Sequence, residues 1–372
     1  MLYSETIPNM KKYNIALIGC GRIGFLLEDD PLRNKPCTHY GGLRAAGLSV
    51  SCAADISAER LAAFARKTAL PPKSLFQNHG ELLRTASPEV IIIATWTPSH
   101  NAIAIDTVKN GARCVVLEKP VSHSLKETRK LLEECKKNNT ALIVNHERRF
   151  DSRYRKVKEM IENGLLGEIR TVNARILTGP YRGKENPLEG GGPLLHDGTH
   201  LVDICRFLFG EIDTVRGEFK RLKRKTGYED MAAAWLKTVG GADIFIEAGG
   251  GYRYFVFELE IFGAEGKILI GNGYEKFYKR TKSALYINFN DLKETVFPKY
   301  KKDNCFTNLY REVRDILDGK DIPLTSSGID GYKALEIVHA IYYSAHKNGK
   351  AIKLPLNPEK INIKKIFGLQ GK

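Results

Sequence analysis

Three glycines near the amino terminus are spaced as a phosphate-binding loop requires. Gly19-Cys-Gly-Arg-Ile-Gly24 has the spacing GxGxxG and directly follows the apolar run Asn14–Ile18. In a strand–loop–helix unit, the first glycine permits the tight turn, the second lets the backbone approach a pyrophosphate, and the third allows helix and strand to pack closely. Because a helix pattern follows, we predict a dinucleotide-binding loop rather than three chance glycines. The contacts expected here are Gly19, Gly21, Arg22, Ile23 and Gly24.

A carboxylate after the next predicted strand indicates which dinucleotide is bound. Asp55 ends the run that starts at Leu48, where a carboxylate accepts hydrogen bonds from ribose hydroxyls and repels a 2′-phosphate. We therefore expect NAD(H) in preference to NADP(H). Asp55 lies further from the glycines than is usual, and we assign the excess to a loop inserted after the first helix, over residues 26–39. Two alternatives stay open: Asp55 only caps the helix from Ser57, or Arg60 serves a phosphate.

Two histidines four residues apart form the second group that could do chemistry. His196-Asp-Gly-Thr-His200 follows three glycines and opens an apolar helix pattern over residues 201–209. An imidazole titrates near neutral pH and suits proton exchange with a hydroxyl group. The spacing also permits zinc with Asp203 as a third ligand, but the glutamate of the metal proteases and any nearby cysteine are lacking, so we expect no metal. A structural role for both histidines is the other alternative.

Several short motifs resemble those of one family. They are the glycine loop, Thr95-Trp-Thr-Pro-Ser-His100, Glu118-Lys-Pro120, Arg149-Phe150, Asn163–Glu168, Gly190–Asp203 and Ile261–Gly266. Their order and spacing over nearly the whole chain resemble the glucose–fructose oxidoreductase/inositol dehydrogenase family (Gfo/Idh/MocA). The resemblance implies an NAD(P)-dependent oxidoreductase that acts on a sugar, a sugar derivative or a cyclitol.

The resemblance also implies roles for the residues around the Glu-Lys-Pro motif. Four residues would pack on the nicotinamide and its ribose: Thr95, Trp96, Pro98 and His100. Glu118 and Lys119 would lie at the carboxyl end of a strand, where open α/β sheets bind ligands. Lys119 would donate to the reacting hydroxyl and to the nicotinamide ribose, and its charge would stabilise alkoxide character.

The same resemblance assigns proton transfer to His200. Family members usually carry an aspartate four residues before this histidine, whereas this chain has His196 there and Asp197 one position later. Both can reach His200 on a helix, since residues three and four apart share a face. Either can therefore take the family aspartate's role, which is to bind substrate and tune charge.

Further substrate contacts are expected from two other segments. In the family, the stretch Asn145–Phe150 enters the active-site cleft, so His146 and Arg148 are candidates to contact a hydroxyl, a carboxylate or a phosphate. Tyr181 and Arg182 are candidates in a loop rich in glycine and proline. An ordinary surface position is an equally good expectation for each of these residues.

Buried strands and amphipathic helices must position these residues. The runs that start at Asn14, Val90, Cys114 and Ala141 lack polar alternation, as parallel strands buried on both faces do. Together with the capped helix after Ser124 they predict a doubly wound α/β Rossmann domain over residues 1–148.

The pattern changes in the second part of the chain. Strands now alternate, most clearly where Phe257, Leu259 and Ile261 share one face, and two helices follow near residues 306–317 and 329–346. We predict an α+β domain over residues 149–372, with a large, mostly antiparallel sheet that is open on one face. Because an exposed sheet face with apolar positions needs covering, we expect a homodimer or a homotetramer.

Composition narrows the classes of protein. The 372 residues are 42% hydrophobic and 27% charged, which suits two globular domains. Seven cysteines without a CxxC pair predict a reducing cytoplasm, and no apolar run approaches the roughly 18 residues of a membrane span. The net charge of +15 permits polyanions, but the basic run Lys220–Lys225 has no interleaved aromatic residue, and we expect no nucleic acid as a partner.

We therefore expect hydride transfer between C4 of nicotinamide and a secondary alcohol or ketone of a sugar-like small molecule. The basic residues Lys119, Arg148 and Arg182 favour an anionic substrate, such as a phosphorylated or nucleotide-linked sugar. The alternative is a non-catalytic dinucleotide-binding regulator of the same fold. The presence of both Lys119 and His200 argues against that alternative.

Overall fold

The chain folds into two compact units. The computed structural model describes residues 13–179, 191–222 and 227–368. Of these, residues 13–118, 130–150 and 303–328 form the first unit. Residues 119–129, 151–302 and 329–368 form the second.

The first unit is built on a six-stranded sheet. Its strands are β1 (Ile15–Ile18), β2 (Cys52–Ala54), β3 (Leu75–Phe76), β4 (Val90–Ile93), β5 (Cys114–Leu117) and β6 (Ala141–Val144). They lie in the order β3-β2-β1-β4-β5-β6, and every pairing is parallel. β1, β4 and β5 are buried along their whole length, as strands covered on both faces are. The predicted Rossmann domain is confirmed, although the two-residue β3 is too short to give a sequence pattern.

Helices occur in the described residues where the sequence predicts them, after Ser57 and Ser124 and near residues 201–209, 306–317 and 329–346, and the helices over residues 79–86, 97–109 and 363–366 were not predicted. The helices of the described residues are α1 (His39–Ala45), α2 (Ala58–Thr68), α3 (His79–Ala86), α4 (Thr97–Lys109), α5 (Leu125–Lys137), α6 (Ser152–Glu162), α7 (Thr199–Phe209), α8 (Cys305–Leu317), α9 (Gly328–His346) and α10 (Ile363–Ile366). At the start of α5 the Glu127 N–H donates to Ser124 Oγ at 3.3 Å, as the predicted cap requires. None of these helices has the length and apolarity needed to cross a membrane.

The helix after the glycine loop is interrupted by the inserted segment. Residues 21–25 form a turn, and Leu26–Asp29 form a short 3₁₀ helix. α1 begins only at His39, yet the His39 N–H donates to the Ile23 carbonyl at 3.0 Å, and the next residue repeats this bond with Gly24. The insertion therefore lies within the first helix. The prediction that it follows the first helix is wrong. The sequence pattern misses this because hydrogen bonds, not chain continuity, join the two stretches.

The second unit is built on a nine-stranded sheet. Its strands are β7 (Ile169–Leu177), β8 (Ile212–Lys220), β9 (Met231–Thr238), β10 (Asp243–Gly249), β11 (Val256–Gly263), β12 (Gly266–Gly271), β13 (Tyr274–Lys282), β14 (Asn290–Thr295) and β15 (Ile352–Lys353). The order is β14-β13-β12-β11-β7-β10-β9-β8-β15, and only the β7–β10 pair is parallel. Phe257, Leu259 and Ile261 are buried on one face, which confirms the alternation and the mostly antiparallel sheet.

Helix α8 belongs to the core of the first unit. Phe306, Leu309 and Tyr310 are buried in the same apolar cluster as Ile15 of β1 and Ile92 of β4. The predicted boundary after residue 148 lies two residues before the passage from Phe150 to Asp151. The predicted second domain nevertheless included residues 303–328, which the structure groups with the first unit. The apolar face of α8 explains the difference, since the chain returns there to complete a core that its first 150 residues leave open.

Candidate active site

The three glycines of the loop have different surroundings. Gly19 has φ +100°, and a Cβ on it would come within 2.5 Å of the Ala94 carbonyl oxygen. A Cβ on Gly24 would lie 2.2 Å from the Gly19 carbonyl oxygen, whereas a Cβ on Gly21 would meet nothing within 4 Å. Gly21 therefore leaves free space of the kind that a pyrophosphate needs. Of the other two predicted contacts, Arg22 is exposed and Ile23 is half-buried.

Asp55 connects the glycine loop to the start of α2. Its Oδ2 accepts a hydrogen bond from the Cys20 N–H at 2.8 Å, and its Oδ1 accepts one from the Ser57 N–H at 2.8 Å. The bond from Ser57 fits the alternative in which Asp55 caps the helix. It does not exclude ribose binding, because each carboxylate oxygen can accept a further bond from a ribose hydroxyl. Arg60 is exposed on α2, and its N–H donates to the Ser57 hydroxyl.

The loop after β4 carries an exposed indole and internal hydrogen bonds. Trp96 is 45% exposed, and Pro98 lies exposed in the first turn of α4. The ring Nε2 of the buried His100 lies 3.0 Å from the Thr95 carbonyl oxygen, and Ser99 Oγ donates to Thr95 Oγ1 at 2.9 Å. His100 therefore fixes the loop from within, whereas Trp96 presents a flat apolar surface.

Glu118 lies in a buried network at the carboxyl ends of β5 and β6. Its Oε1 accepts a hydrogen bond from Asn145 Nδ2 at 2.5 Å and lies 2.9 Å from His39 Nε2. His39 Nδ1 in turn lies 2.6 Å from the Tyr310 hydroxyl. Burial, with the Glu118 charge second, raises the pKa of Tyr310 well above its usual value, so Tyr310 stays a neutral phenol. Sequence reasoning missed His39 and Tyr310 because no motif links residues 271 positions apart.

The predicted substrate contacts of the first unit are less exposed than expected. His146 is 1% exposed. The Arg148 guanidinium forms an ion pair with the neighbouring Glu147 carboxylate, which offsets the charge that it would offer to an anionic ligand. Tyr181 and Arg182 lie outside the described residues.

In the second unit the structure brings Lys119, His196 and Asp197 together. Lys119 Nζ donates to the His196 carbonyl oxygen at 2.7 Å and lies 3.9 Å from Asp197 Oδ1. His196 Nδ1 lies 2.9 Å from the same Asp197 oxygen. The lysine side chain is 14% exposed, against 34% and 32% for His196 and Asp197. A mostly buried ammonium group therefore faces a partly exposed imidazole–carboxylate pair.

A change of helix type separates His196 from His200. Leu194–Gly198 form a π-helical turn, and α7 begins at Thr199, with His200 buried in its first turn. The regular helical face assumed for positions 196 and 200 is thus replaced by a wider turn. Within the described ranges, no group of three or more His, Cys, Asp and Glu side chains is arranged to hold a metal ion.

A small pocket opens beside this turn. Its described lining is Thr178, Gly179, Gly191, Gly192, Pro193, His196, Asp197, Glu229, Asp230 and Gly250. Two carboxyl groups in it, Glu229 and Asp230, were not among the predicted site residues. They precede β9 without a motif of their own, so only the folded chain brings them to the pocket.

Comparison with known proteins identifies the family. Residues 13–146 match the oxidoreductase family model with an NAD-binding Rossmann fold, and residues 154–269 match the Gfo/Idh/MocA C-terminal domain. The chain belongs to the Gfo/Idh/MocA family. The predicted family, fold class and dehydrogenase class are thereby confirmed.

Relatives and solved structures cover most of the chain. Myo-inositol 2-dehydrogenase of Thermotoga maritima is 25% identical over 358 residues, 91% of this chain and 98% of the relative. D-apiose dehydrogenase of Paraburkholderia graminis is 24% identical over 363 residues, covering 94% of this chain and 92% of that relative. The WlbA dehydrogenase of Bordetella pertussis, solved in complex with NADH and UDP-GlcNAcA, has a TM-score of 0.74 at 23% identity and covers 93% of this chain and 100% of that one. At this identity the structural likeness shows the fold alone.

Proposed function

We propose that this protein oxidises a secondary hydroxyl group of a sugar or a cyclitol with NAD⁺, or reduces the corresponding ketone. The observation that carries the proposal is the Lys119 ammonium group, held 2.7 Å from the His196 carbonyl and beside the Asp197 carboxylate. Similarity to myo-inositol and D-apiose dehydrogenases supports the substrate class.

The dinucleotide would be held by residues of the first unit. The open space at Gly21 fits a pyrophosphate, and the exposed Trp96 offers a surface for the nicotinamide end. The Asp55 carboxylate suits the two ribose hydroxyls and repels a 2′-phosphate, which favours NAD(H). When bound, nicotinamide accepts or supplies the hydride at C4.

The protein's own groups would handle the proton and the developing charge. Lys119 donates to the reacting oxygen and stabilises its alkoxide character, while His200 exchanges the proton. We assign the substrate-binding role of the family aspartate to Asp197, because it is the carboxylate that lies within 3.9 Å of Lys119. His196 orients that carboxylate through its ring nitrogen.

The charges at the site favour a neutral substrate over an anionic one. Asp197 and Asp230 line the pocket of the second unit beside the buried carboxyl group of Glu229, and the Lys119 ammonium group already lies 3.9 Å from Asp197 Oδ1. Carboxylates accept hydrogen bonds from hydroxyl groups and repel phosphates. We therefore expect uncharged polyols to be turned over faster than their phosphate esters.

A substrate panel with two variants tests the proposal. Wild-type protein is incubated with NAD⁺ and neutral cyclitols and sugars, and NADH formation is followed. Lys119→Ala and His200→Ala should each lower kcat by about a thousandfold or more, since charge stabilisation and acid–base catalysis are each worth that order. NADH affinity, measured by fluorescence, should stay within about threefold of wild type in His200→Ala.

Lys126→Ala is the matched control, because this exposed lysine pairs with Glu359 in the same unit. Wild-type-like turnover in Lys119→Ala or His200→Ala would contradict the assigned roles. NADH binding without turnover across a broad panel would instead favour the non-catalytic regulator.

A further inference from the structure

Glu229 is a buried carboxyl group with an uneven set of partners. Its side chain is 1% exposed. Oε1 accepts hydrogen bonds from the Leu194 N–H and from the Tyr342 hydroxyl, each at 2.9 Å. Oε2 is buried and has no hydrogen-bond partner among the described residues. A buried carboxyl oxygen without a partner is costly when the group is ionised, so this carboxyl is poised between its two protonation states.

The hydrogen bond to Leu194 fixes the start of the π-helical turn. Pro193 at the N-cap of this turn makes no capping bond with its side chain, so the first N–H group needs an acceptor from elsewhere. Glu229, which comes from the segment before β9, supplies that acceptor. Its second donor, Tyr342, lies on α9. The carboxyl thereby ties the turn to two other elements of the second unit.

The lack of a side chain at Gly192 leaves room for the Glu229 carboxyl group. A Cβ on Gly192 would lie 2.1 Å from Glu229 Oε2, so the oxygen occupies the space that any other residue would fill. The Gly192 carbonyl also accepts a hydrogen bond from the His196 N–H at 2.9 Å. Gly192 thus packs against the Glu229 carboxyl group and is hydrogen-bonded to the turn.

The π-helical turn also holds the Lys119 side chain. The His196 carbonyl oxygen accepts a hydrogen bond from the Lys119 ammonium group, and Asp197 Oδ1 lies 3.9 Å from the same nitrogen. We propose that Glu229 is a positioning residue: its ionised carboxyl group fixes the 194–198 turn, and thereby Lys119 and Asp197, more firmly than its neutral form does. This inference rests on the proposed function for its kinetic readout.

The surroundings place the ionisation of Glu229 in the neutral range. Its pKa is raised to about 7, and burial is the main cause. The hydrogen bonds from Leu194, from its own backbone N–H and from Tyr342 lower the pKa, and the Asp230 charge raises it. Ionisation makes both bonds at Oε1 charge-assisted, and such bonds are about twice as strong as neutral ones. Among the described residues, further titratable groups near it are Tyr228 next to it in the chain, Tyr342 of α9, and His196 and Asp197 of the turn.

The pH dependence of Glu229→Gln separates positioning from plain structural support. The glutamine keeps an acceptor but never ionises, so it mimics the neutral carboxyl. We expect the ratio of wild-type to variant kcat/KM to be near one at about pH 5.5 and to rise to about tenfold at about pH 8.5, since a charge-assisted bond adds about that factor. The midpoint of the rise should lie near pH 7. A ratio that does not change with pH would overturn the proposal.

Two further variants guard against a folding artefact. Glu336→Gln is the matched control, because Glu336 is also 1% exposed and accepts a backbone N–H, from Leu356 at 2.9 Å, but does not line the described pocket. The ratio of wild-type kcat/KM to that of Glu336→Gln should stay constant with pH. Tyr342→Phe removes a hydrogen-bond donor that lowers the Glu229 pKa. The inflection in the pH profile of kcat/KM should therefore lie at a higher pH in this variant than in the wild type. An unmoved inflection would contradict the role of Glu229.

A spectroscopic measurement decides the proposal even if no substrate is found. In ¹⁵N-histidine-labelled protein, the ring resonances of His196, assigned with His196→Gln, should shift as Glu229 ionises near pH 7. That response should be lost in Glu229→Gln and retained in Glu336→Gln. If it persists in Glu229→Gln, the positioning role is wrong. If it is lost while the substrate panel shows no turnover, only the proposed function fails.

Discussion

Each glycine of the dinucleotide loop meets a different constraint, although the motif presents them as equivalents. Gly19 and Gly24 are required by the protein itself, because a side chain on either would press on a carbonyl oxygen. Gly21 faces open space. The lack of a side chain at Gly21 therefore leaves space for a bound group. Gly19 is required by the close approach of the Ala94 carbonyl oxygen, and Gly24 by that of the Gly19 carbonyl oxygen.

Two alanine variants should separate these constraints. In Gly24→Ala the Cβ would lie 2.2 Å from the Gly19 carbonyl oxygen, and we expect a loss of about 2–4 kcal/mol in the free energy of unfolding. Gly21→Ala should unfold within about 2 °C of wild type, yet bind NADH at least about tenfold more weakly, since its methyl group fills the space of the pyrophosphate. Thermal unfolding and NADH fluorescence titration measure the two effects. Equal loss of stability in both variants would contradict this division.

At the scale of the element, local patterns predicted most of the sheet and missed long-range assembly. Four of the six parallel strands, β1, β4, β5 and β6, were predicted from continuous apolar runs, and β11 was predicted from its alternation, because the burial of a strand determines which of its residues are apolar. The interruption of the first helix and the place of α8 were missed. Both depend on contacts between distant segments, such as His39 with Ile23 and Tyr310 with His39.

The same distinction applies to the candidate site. Lys119, His196 and Asp197 were predicted from motifs, and the structure brings them together. Glu229 was not predicted, since a glutamate before a strand is ordinarily a surface residue. Its burial depends on Tyr342 of α9, 113 positions away, and no local pattern carries that information.

Helix α9 contains a buried histidine that should make the fold sensitive to acid. His339 is 1% exposed, and neither ring nitrogen has a hydrogen-bond partner among the described residues. Burial, with the charge of His123 second, lowers its pKa from 6.5 to about 3. Below about pH 6.5 the unfolded chain binds a proton that the folded chain rejects, so the free energy of unfolding falls by about 1.4 kcal/mol per pH unit from this group.

His339→Leu should remove this dependence on pH. The leucine neither titrates nor leaves a buried nitrogen unpaired, so we expect a flatter fall in stability between about pH 6.5 and 4.5 and a more stable variant at about pH 5. Urea unfolding over a series of pH values gives the slopes. His346→Leu at the exposed end of the same helix should keep the wild-type slope. An unchanged slope in His339→Leu would show that other groups cause the acid sensitivity.

At the scale of the whole molecule, the net charge of +15 gives little information about the ligand. Of the three basic residues that suggested an anionic substrate, Lys119 and Arg148 each face a carboxylate, and Arg182 lies outside the described residues. All seven cysteines are free, and the reducing compartment expected from the sequence stays a prediction.

Exposed apolar side chains lie on the nine-stranded sheet and in the loop after β13, and these two places are candidate surfaces for a second copy of the chain. Phe245 is 48% exposed opposite Trp235 of the neighbouring strand. Beyond β13, Tyr286, Ile287 and Phe289 are 66%, 89% and 67% exposed. So many exposed aromatic and aliphatic side chains on one unit are unusual for a monomer. We therefore propose a homodimer or a homotetramer that uses these surfaces.

Charge placed in the loop after β13 should separate the subunits. Two buried apolar side chains are worth about 1.5–3 kcal/mol each, so the double variant Ile287→Asp/Phe289→Asp should raise the subunit Kd by at least about a hundredfold. Light scattering should then report the monomer mass at micromolar concentration, where wild type reports a multiple of 41.7 kDa. Val239→Asp is the control, because Val239 is 72% exposed and lies after β9, outside this loop. Because neither substitution lies in the candidate site, NADH affinity should persist in the separated subunits, and a wild-type mass in the double variant would mean that the interface lies elsewhere.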